Sequence, residues 1–433
     1  MDDQNKQTQS DFLSETIRKR PVNKQKVIRR MVEVSLLAIL FGAIACATIV
    51  LLSPVLENMI FKEEETEAEV AEMDFADDSL EVVAEEISPE DMLVEDEETG
   101  SEETVVIVEE TITAQQIVEE EAKLFSDLAQ ACADWLVTVR GMSNSESWLE
   151  SSLVSASEYS GAIVTESDTD LYILTNRGSL STADYIEATF VDGTAAVGTI
   201  CGEDSKSGLM ALRVSKEELS ADTLDAITIA VFSSSNLKSN LGSRVLAVGN
   251  PMGVSGSYVS GTITAMGIEA NSWDINYKVL MTDIYASQSP QGFLVNLRGY
   301  IVGVLCNDYN SSDTGNILSA LGITELKKTI ELMCRGSDIP CLGIQGTNVT
   351  AAANEEEGVP LGAYVTAVLM NSAAMSAGIQ VGDIVTAIDD TEISGMSDLT
   401  GCLLSHQAGD SVNVIICRLS QGEYREIELH IVL

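Results

Sequence analysis

A serine near the middle of the chain sits where chemistry could occur. Ser289 lies in TDIYASQSPQGFLVNLRGYIVGV, Thr282 to Val304, in a loop of small residues that leads into a strand–turn–strand pattern. A serine hydroxyl becomes a useful nucleophile only when a neighbouring base takes its proton. The chain has two histidines, His406 and His430, both near its C-terminus. A desolvated lysine is the other chemical option. Lys278 lies in a strand-like NYKVLMTD, and nothing in the context of Lys278, Lys206 or Lys216 aims an amine at the loop. The eight cysteines, at 46, 132, 201, 306, 334, 341, 402 and 417, include no CxxC pair. That spacing argues against a zinc knuckle or a dithiol redox centre. Most sit in apolar strand contexts such as VLC and VIICR, as buried free thiols do; Cys334 and Cys341 flank a short polar turn and could instead form a local disulfide. His406 stands at a predicted helix end, where an imidazole meets the helix C-terminus favourably. His430 alternates with Glu428 in a terminal strand and is expected to face solvent. Neither has ligand-type residues clustered around it, so no metal or other cofactor is expected.

The elements that would position these residues follow from charge and hydropathy. The 433-residue chain carries a formal charge of -44, which argues against nucleic acid as a partner. Residues 1–33 form a basic tail, with RKRPVNKQKVIRR at Arg18 to Arg30. Val34 to Leu56 are 23 residues without a charge, long enough to span a bilayer, and the basic flank predicts a cytoplasmic N-terminus. The expectation is a signal-anchor: one transmembrane helix over 34–56, a lipid-bilayer contact, and a cell-membrane protein whose folded domains are extracytoplasmic. Glu63 to Glu121 hold 25 acidic residues and no Lys or Arg, and 57–121 is expected to be an acidic disordered linker, with a helix starting at its end over Ala114 to Cys132.

From Cys132 to Leu321 short apolar runs such as YSGAIVTES, DLYILTN and FLVNLRGYIVGVLC alternate with Gly, Asp, Asn and Ser turns. Such spacing predicts antiparallel strands closed into barrels or sandwiches rather than βαβ units. A helix is predicted over Ile323 to Met333, and a second domain begins near Ile339. In that domain AGIQVGDIVTAIDD reads as a helix end at Gly378, a turn and a half-buried strand, followed by a helix around Ser397 to His406 and two terminal strands.

In order and spacing, several fragments resemble the Deg/HtrA family of trypsin-like serine proteases with a C-terminal PDZ domain. They are YILTN (Tyr172 to Asn176), VLAVGNPMG (Val245 to Gly253), YVSGTITAMG (Tyr258 to Gly267), Thr282-Asp283, LVNLRGYIVGV, CLGI, and SAAMSAGIQVGDIVTAID. The resemblance covers roughly residues 128 to 433. It implies a mostly β protein: a trypsin-like double six-stranded antiparallel β-barrel over 122–334, then a PDZ domain over 335–433.

The resemblance also locates a triad, and the residues found there cannot perform its chemistry. Gly178 matches the histidine, with Arg177 beside it permanently protonated. Gly208 matches the aspartate; Asp204, four residues earlier, reads as a solvated turn residue. The nucleophile matches Pro290 or, with the gap moved, Ser289. Gln288 and Gln291 replace loop glycines, Gly292 alone remains, and Pro290 lacks the backbone N–H that an oxyanion hole needs. A pseudoprotease is expected, with no catalytic residue. The alternative is an active endopeptidase with displaced groups around Ser289.

Binding is the function the resemblance leaves available. It implies that a polypeptide C-terminus adds as a strand beside Leu342, Gly343 and Ile344, whose loop amides receive the carboxylate, with Leu399 and Leu403 on the opposite helix. The expected protein is a non-catalytic, membrane-tethered envelope adaptor or regulator that binds polypeptides. VTVRGMSNSESWLESSLV, which contains Trp148, offers a surface for packing between subunits, so a homo-oligomer stays open.

Overall fold

The computed structural model describes residues 114–142 and 158–433. It opens with helix α1 (Ala114–Ala133), where a helix was expected at the end of the acidic stretch. Phe125, Leu128 and Cys132 of α1 are buried in the main core, and Arg244 lies over the Phe125 ring, 5.4 Å from its centroid.

Six strands then close a first barrel: β1 (Leu136–Met142), β2 (Glu158–Glu166), β3 (Asp170–Asn176), β4 (Tyr185–Thr189), β5 (Ala195–Asp204) and β6 (Leu209–Ser215). Their order around the barrel is β1-β2-β3-β6-β5-β4, and every pairing is antiparallel. Short helix α2 (Ala221–Ala226) leads to a second barrel of β7 (Arg244–Asn250), β8 (Ser257–Asn271), β9 (Asn276–Tyr285), β10 (Gln291–Asn296), β11 (Ile301–Leu305) and β12 (Ile317–Gly322). It closes in the corresponding order, β7-β8-β9-β12-β11-β10.

Strand composition explains the burial. GAIVT in β2 is buried residue after residue because both faces are covered, whereas the first half of β5 alternates exposed and buried. Trp135 before β1 meets Phe293 of β10 edge to face, with ring centroids 5.8 Å apart, inside one continuous core. Gly292 is retained for a backbone reason. Its φ is +115°, and a Cβ there would lie 2.1 Å from the Val248 carbonyl oxygen, so only glycine lets β10 close against β7.

Helix α3 (Ile323–Cys334) buries Ile323, Leu326, Ile330 and Met333 and leads into the last domain. There β13 (Ile344–Asn348), α4 (Ala351–Glu357), β14 (Ala363–Val368), α5 (Ala373–Ala377), β15 (Ile384–Ile388), β16 (Thr391–Glu392), α6 (Met396–Leu403), β17 (Ser411–Ser420) and β18 (Glu423–Val432) follow. The sheet runs β13-β14-β15-β17-β18, with β16 paired to β15, so β13 is an end strand. Gly378 caps α5 in the left-handed conformation. The turn after it is held by buried Asp383, which accepts from the Gln380 N–H at 2.8 Å and from Arg418 through Nε at 2.6 Å and Nη2 at 2.7 Å.

One expectation is corrected. Among the described residues no helix is long and apolar enough to cross a membrane. The 20-residue α1 is long enough, but Glu119, Glu120, Glu121, Lys123 and Asp127 make it too polar for hydrocarbon. Val34 to Leu56 themselves, and the acidic residues up to 113, lie outside the described residues, as does Trp148. The described residues therefore form two closed barrels and a PDZ-like domain, with no membrane-spanning helix among them. Single-pass anchorage, the lipid-bilayer contact and the extracytoplasmic placement derived from it are not carried further.

Candidate functional site

Each position that the resemblance aligned with a catalytic group has a different local purpose. Gly178 follows β3 with φ +39°, and a Cβ on it would lie 2.2 Å from the Tyr159 hydroxyl. Tyr159 belongs to the first-barrel core and is only 8% exposed. Its hydroxyl accepts the Ser179 N–H at 2.8 Å and shares a hydrogen bond with Ser179 Oγ at 3.0 Å. The phenol thus fills the space into which a side chain at 178 would grow. Arg177 is turned to Glu203, with Nε 2.8 Å from Oε2.

Gly208 closes the β5–β6 turn at φ +70°, donating to the Asp204 carbonyl at 2.9 Å and accepting from the Arg177 N–H at 2.8 Å. Asp204, expected in the turn as a solvated residue, instead ends strand β5 and is buried. Its carboxylate accepts from the amides of Lys206 and Ser207, each at 3.0 Å, and from Ser207 Oγ at 2.7 Å, which uses it to hold the turn.

In the loop between β9 and β10, Ser289 is exposed and Pro290 is buried. Ser287 fixes the loop, its N–H donating to Pro251 O at 3.1 Å and its carbonyl accepting from Asn307 Nδ2 at 3.4 Å. The bases considered for Ser289 are held elsewhere. His406 Nδ1 lies 2.9 Å from the Cys402 carbonyl at the end of α6, and Nε2 lies 3.3 Å from Asp389. His430 pairs with Asn413 across β17–β18. Lys216 meets Glu166 at 2.7 Å, Lys278 approaches Glu325 at 3.6 Å, and Lys206 meets Asp274 at 3.2 Å.

That last pair leads to a second constellation. Asp274 sits in the β8–β9 turn in the left-handed conformation, φ +63°, which aspartate tolerates better than most residues. The carboxylate is buried and accepts from the Gly343 N–H at 2.8 and 3.0 Å and from the Ile344 N–H at 2.9 Å. The Asp274 N–H in turn donates to the Ile344 carbonyl at 2.7 Å. Asn276 Nδ2 donates to the Gly346 carbonyl at 3.2 Å, and Thr400 Oγ1 on α6 donates to the Asp274 carbonyl at 2.7 Å.

Charge and burial suit this arrangement. Burial pushes the Lys206 ammonium down, but the Asp274 carboxylate, with Cys341 and Asp204, outweighs it and the balance is upward. Lys206 therefore stays charged beside Asp274. Cys341 donates its thiol to Asp274 at 3.1 Å; burial, then the same carboxylate, push its pKa up to about 11. Cys341 and Cys334 are both free thiols, so no local disulfide joins them.

The residues expected to bind peptide divide by chemistry. The amides of Gly343 and Ile344, expected to receive a carboxylate, donate to that of Asp274. The side chains of Leu342, Ile344, Leu399 and Leu403 are buried in the domain core; Leu403 also lines a small cavity with Ile275, Tyr277, Pro340, Thr400 and Leu404. Asp274 was not anticipated as part of this site, and Lys206 was weighed only as a base. NSWDIN reads as an ordinary hairpin turn, and nothing local in it indicates what the turn will touch.

Comparisons with known proteins agree with this architecture. A trypsin-like peptidase domain family matches residues 159–304, and a PDZ domain family matches 340–431. The chain is similar to a "Serine protease HtrA-like" of Staphylococcus aureus (strain MRSA252), 27% identical over 317 residues, covering 68% of this chain and 40% of that protein. It is also similar to a "Serine protease Do-like HtrA" of Lactococcus lactis subsp. lactis (strain IL1403), 24% identical over 296 residues, covering 63% of this chain and 71% of that protein. The match thus spans about two fifths of the staphylococcal relative's length. Among solved structures, the HtrA-type protease AlgW with tripeptide superposes with a TM-score of 0.51 at 20% identity, covering 71% of this chain and 96% of that one. The chain matches the HtrA-like protease/PDZ scaffold.

Proposed function

We propose that this chain is a non-catalytic polypeptide-binding protein, an adaptor or regulator on the HtrA-like scaffold, whose working site is the end strand of its PDZ domain. The observation that carries the loss of catalysis is Tyr159, whose hydroxyl occupies the space beside Gly178 where the general base of the scaffold would stand. His406 and His430, the chain's two histidines, are engaged within the PDZ domain rather than at Ser289, and Pro290 offers no N–H to an oxyanion.

Support for binding comes from the loop amides. Gly343 and Ile344 direct their N–H groups to one carboxylate, the geometry by which a peptide C-terminus is held. The solved relative carries a tripeptide, and short peptides with a free C-terminus are the ligand class proposed for this chain.

The full chain should leave unfolded casein intact and leave Ser289 unlabelled by a serine-directed phosphonate. Casein cleavage that disappears in Ser289→Ala would establish instead the alternative, an endopeptidase with displaced groups. In parallel, peptides with a free C-terminal carboxylate should bind saturably and their amidated counterparts should not. Equal binding of both forms would remove the carboxylate loop from the mechanism.

A further inference from the structure

We propose that the β8–β9 turn of the second barrel is a built-in ligand of the PDZ domain. The Asp274 carboxylate stands where a peptide C-terminus would bind, and external peptides enter by displacing it. The inference rests on the reading of β13 as the peptide-receiving edge and adds how that edge is regulated.

The turn reproduces the bonds of an added strand. A peptide on the free side of β13 would place its carboxylate on the Gly343 and Ile344 amides and its last N–H on the Ile344 carbonyl. Asp274 does both, using its side-chain carboxylate and its own N–H. Further along the same edge, the Gly346 carbonyl is taken by Asn276 Nδ2. Thr400, on the helix that walls the groove, fastens the turn from the opposite side. An external strand therefore meets an edge whose carboxylate seat and first two carbonyls are already engaged.

Two features make the turn displaceable rather than permanent. The substitute strand is imperfect: Asn276 Oδ1 is buried there without a hydrogen-bond partner, a defect that a main-chain strand need not share. The charge also has somewhere to go. Lys206 pairs with Asp274 from the β5–β6 turn of the first barrel, so ammonium and carboxylate leave the groove together as a pair held by the barrels. The incoming peptide brings its own carboxylate, which takes over the hydrogen bonds of the vacated amides.

A tethered competitor lowers apparent affinity by the fraction of time the groove is open. The experiment measures binding of fluorescent short peptides ending in Val, Leu or Ala, with free and amidated C-termini, to the full chain and to variants. Asp274→Asn combined with Lys206→Met removes the internal carboxylate without leaving a lone ammonium, and should tighten binding of the free-carboxylate peptides by about tenfold or more. Unchanged affinity in a folded double variant overturns the internal-ligand proposal while leaving the peptide site standing. No saturable binding by either protein removes the peptide site and the proposal with it. Wild type supplies an independent readout should the variant not fold. Saturating free-carboxylate peptide should accelerate hydrogen exchange at the Asp274 amide, and bound peptide with no change there overturns the proposal.

Discussion

Placing a histidine at position 178 should damage this protein rather than confer cleavage. In Gly178→His the new Cβ meets the Tyr159 hydroxyl at 2.2 Å and two ring carbons at 2.4 Å, at a backbone φ of +39°. The left-handed conformation costs a residue with a side chain about 1–2 kcal/mol. Relieving the overlap moves Tyr159 out of its seat, which breaks its two hydrogen bonds to Ser179, at about 1 kcal/mol each. It also exposes part of a ring now 8% accessible, for a further loss of about 1–2 kcal/mol. The total is about 4–6 kcal/mol, a large share of an ordinary domain's stability. Urea unfolding followed by tryptophan fluorescence should show the midpoint falling steeply. Tyr159→Ala combined with Gly178→His should be less destabilised than the two single changes added together, because the overlap is counted once. Neither variant should cleave casein, since Gly208 supplies no carboxylate and Pro290 no amide. A Gly178→His protein that keeps the wild-type midpoint, or that gains Ser289-dependent cleavage, would refute the reasoning.

Other outcomes follow from the same contacts. Asp383→Ala removes a bidentate partner of Arg418 and the acceptor of the Gln380 amide, and should cost about 3 kcal/mol, the low end for a buried pair because Arg418 is 30% exposed; a loss below about 1 kcal/mol in urea unfolding would contradict it. Glu203→Ala breaks only the surface pair with Arg177 and should shift stability by less than about 1 kcal/mol. Cys132 should make stability fall in alkali. Burial, then Asp134, push its thiol up to about 12, so above the unfolded thiol's pKa of about 8.5 the unfolded chain has lost a proton that the folded one keeps. Unfolding measured from pH 8 upward should show this decline, and Cys132→Ala should lessen its slope.

Much of the fold was legible because its determinants are local. Short continuous apolar runs in DLYILTN and FLVN, and the glycines of the turns between such runs, specify strand and turn within a few residues. The helix over Ala114–Ala133 and the capping Gly378 were readable for the same reason. The burial of Asp204 was not, because a turn aspartate is solvated or covered according to what packs above it, here the neighbourhood of Lys206 and Asp274. Leu399 and Leu403 have helical spacing that suits a groove wall and a core stripe equally, and the sheet beneath α6 assigns both to the core. The membrane helix was inferred from hydropathy over Val34 to Leu56, which lie outside the described residues; the one described helix of sufficient length is too charged to cross a bilayer.

The sequence by itself determined which residues stand at the positions that the resemblance aligned with the triad. Gly178 and Gly208, at the positions the resemblance aligned with the histidine and the aspartate, carry no side chain, and the nucleophile position falls on Pro290 or on Ser289. Only the tertiary structure decided what stands beside Gly178 and what engages the Gly343 amide. Tyr159 reaches the space beside Gly178 from a neighbouring strand, and Asp274 reaches the Gly343 amide across 69 residues of sequence. Such pairings arise from the packing of separately formed elements, and turn chemistry within NSWDIN leaves its aspartate's partner unspecified. The barrel and the PDZ domain must first fold and meet before one supplies a carboxylate to the other.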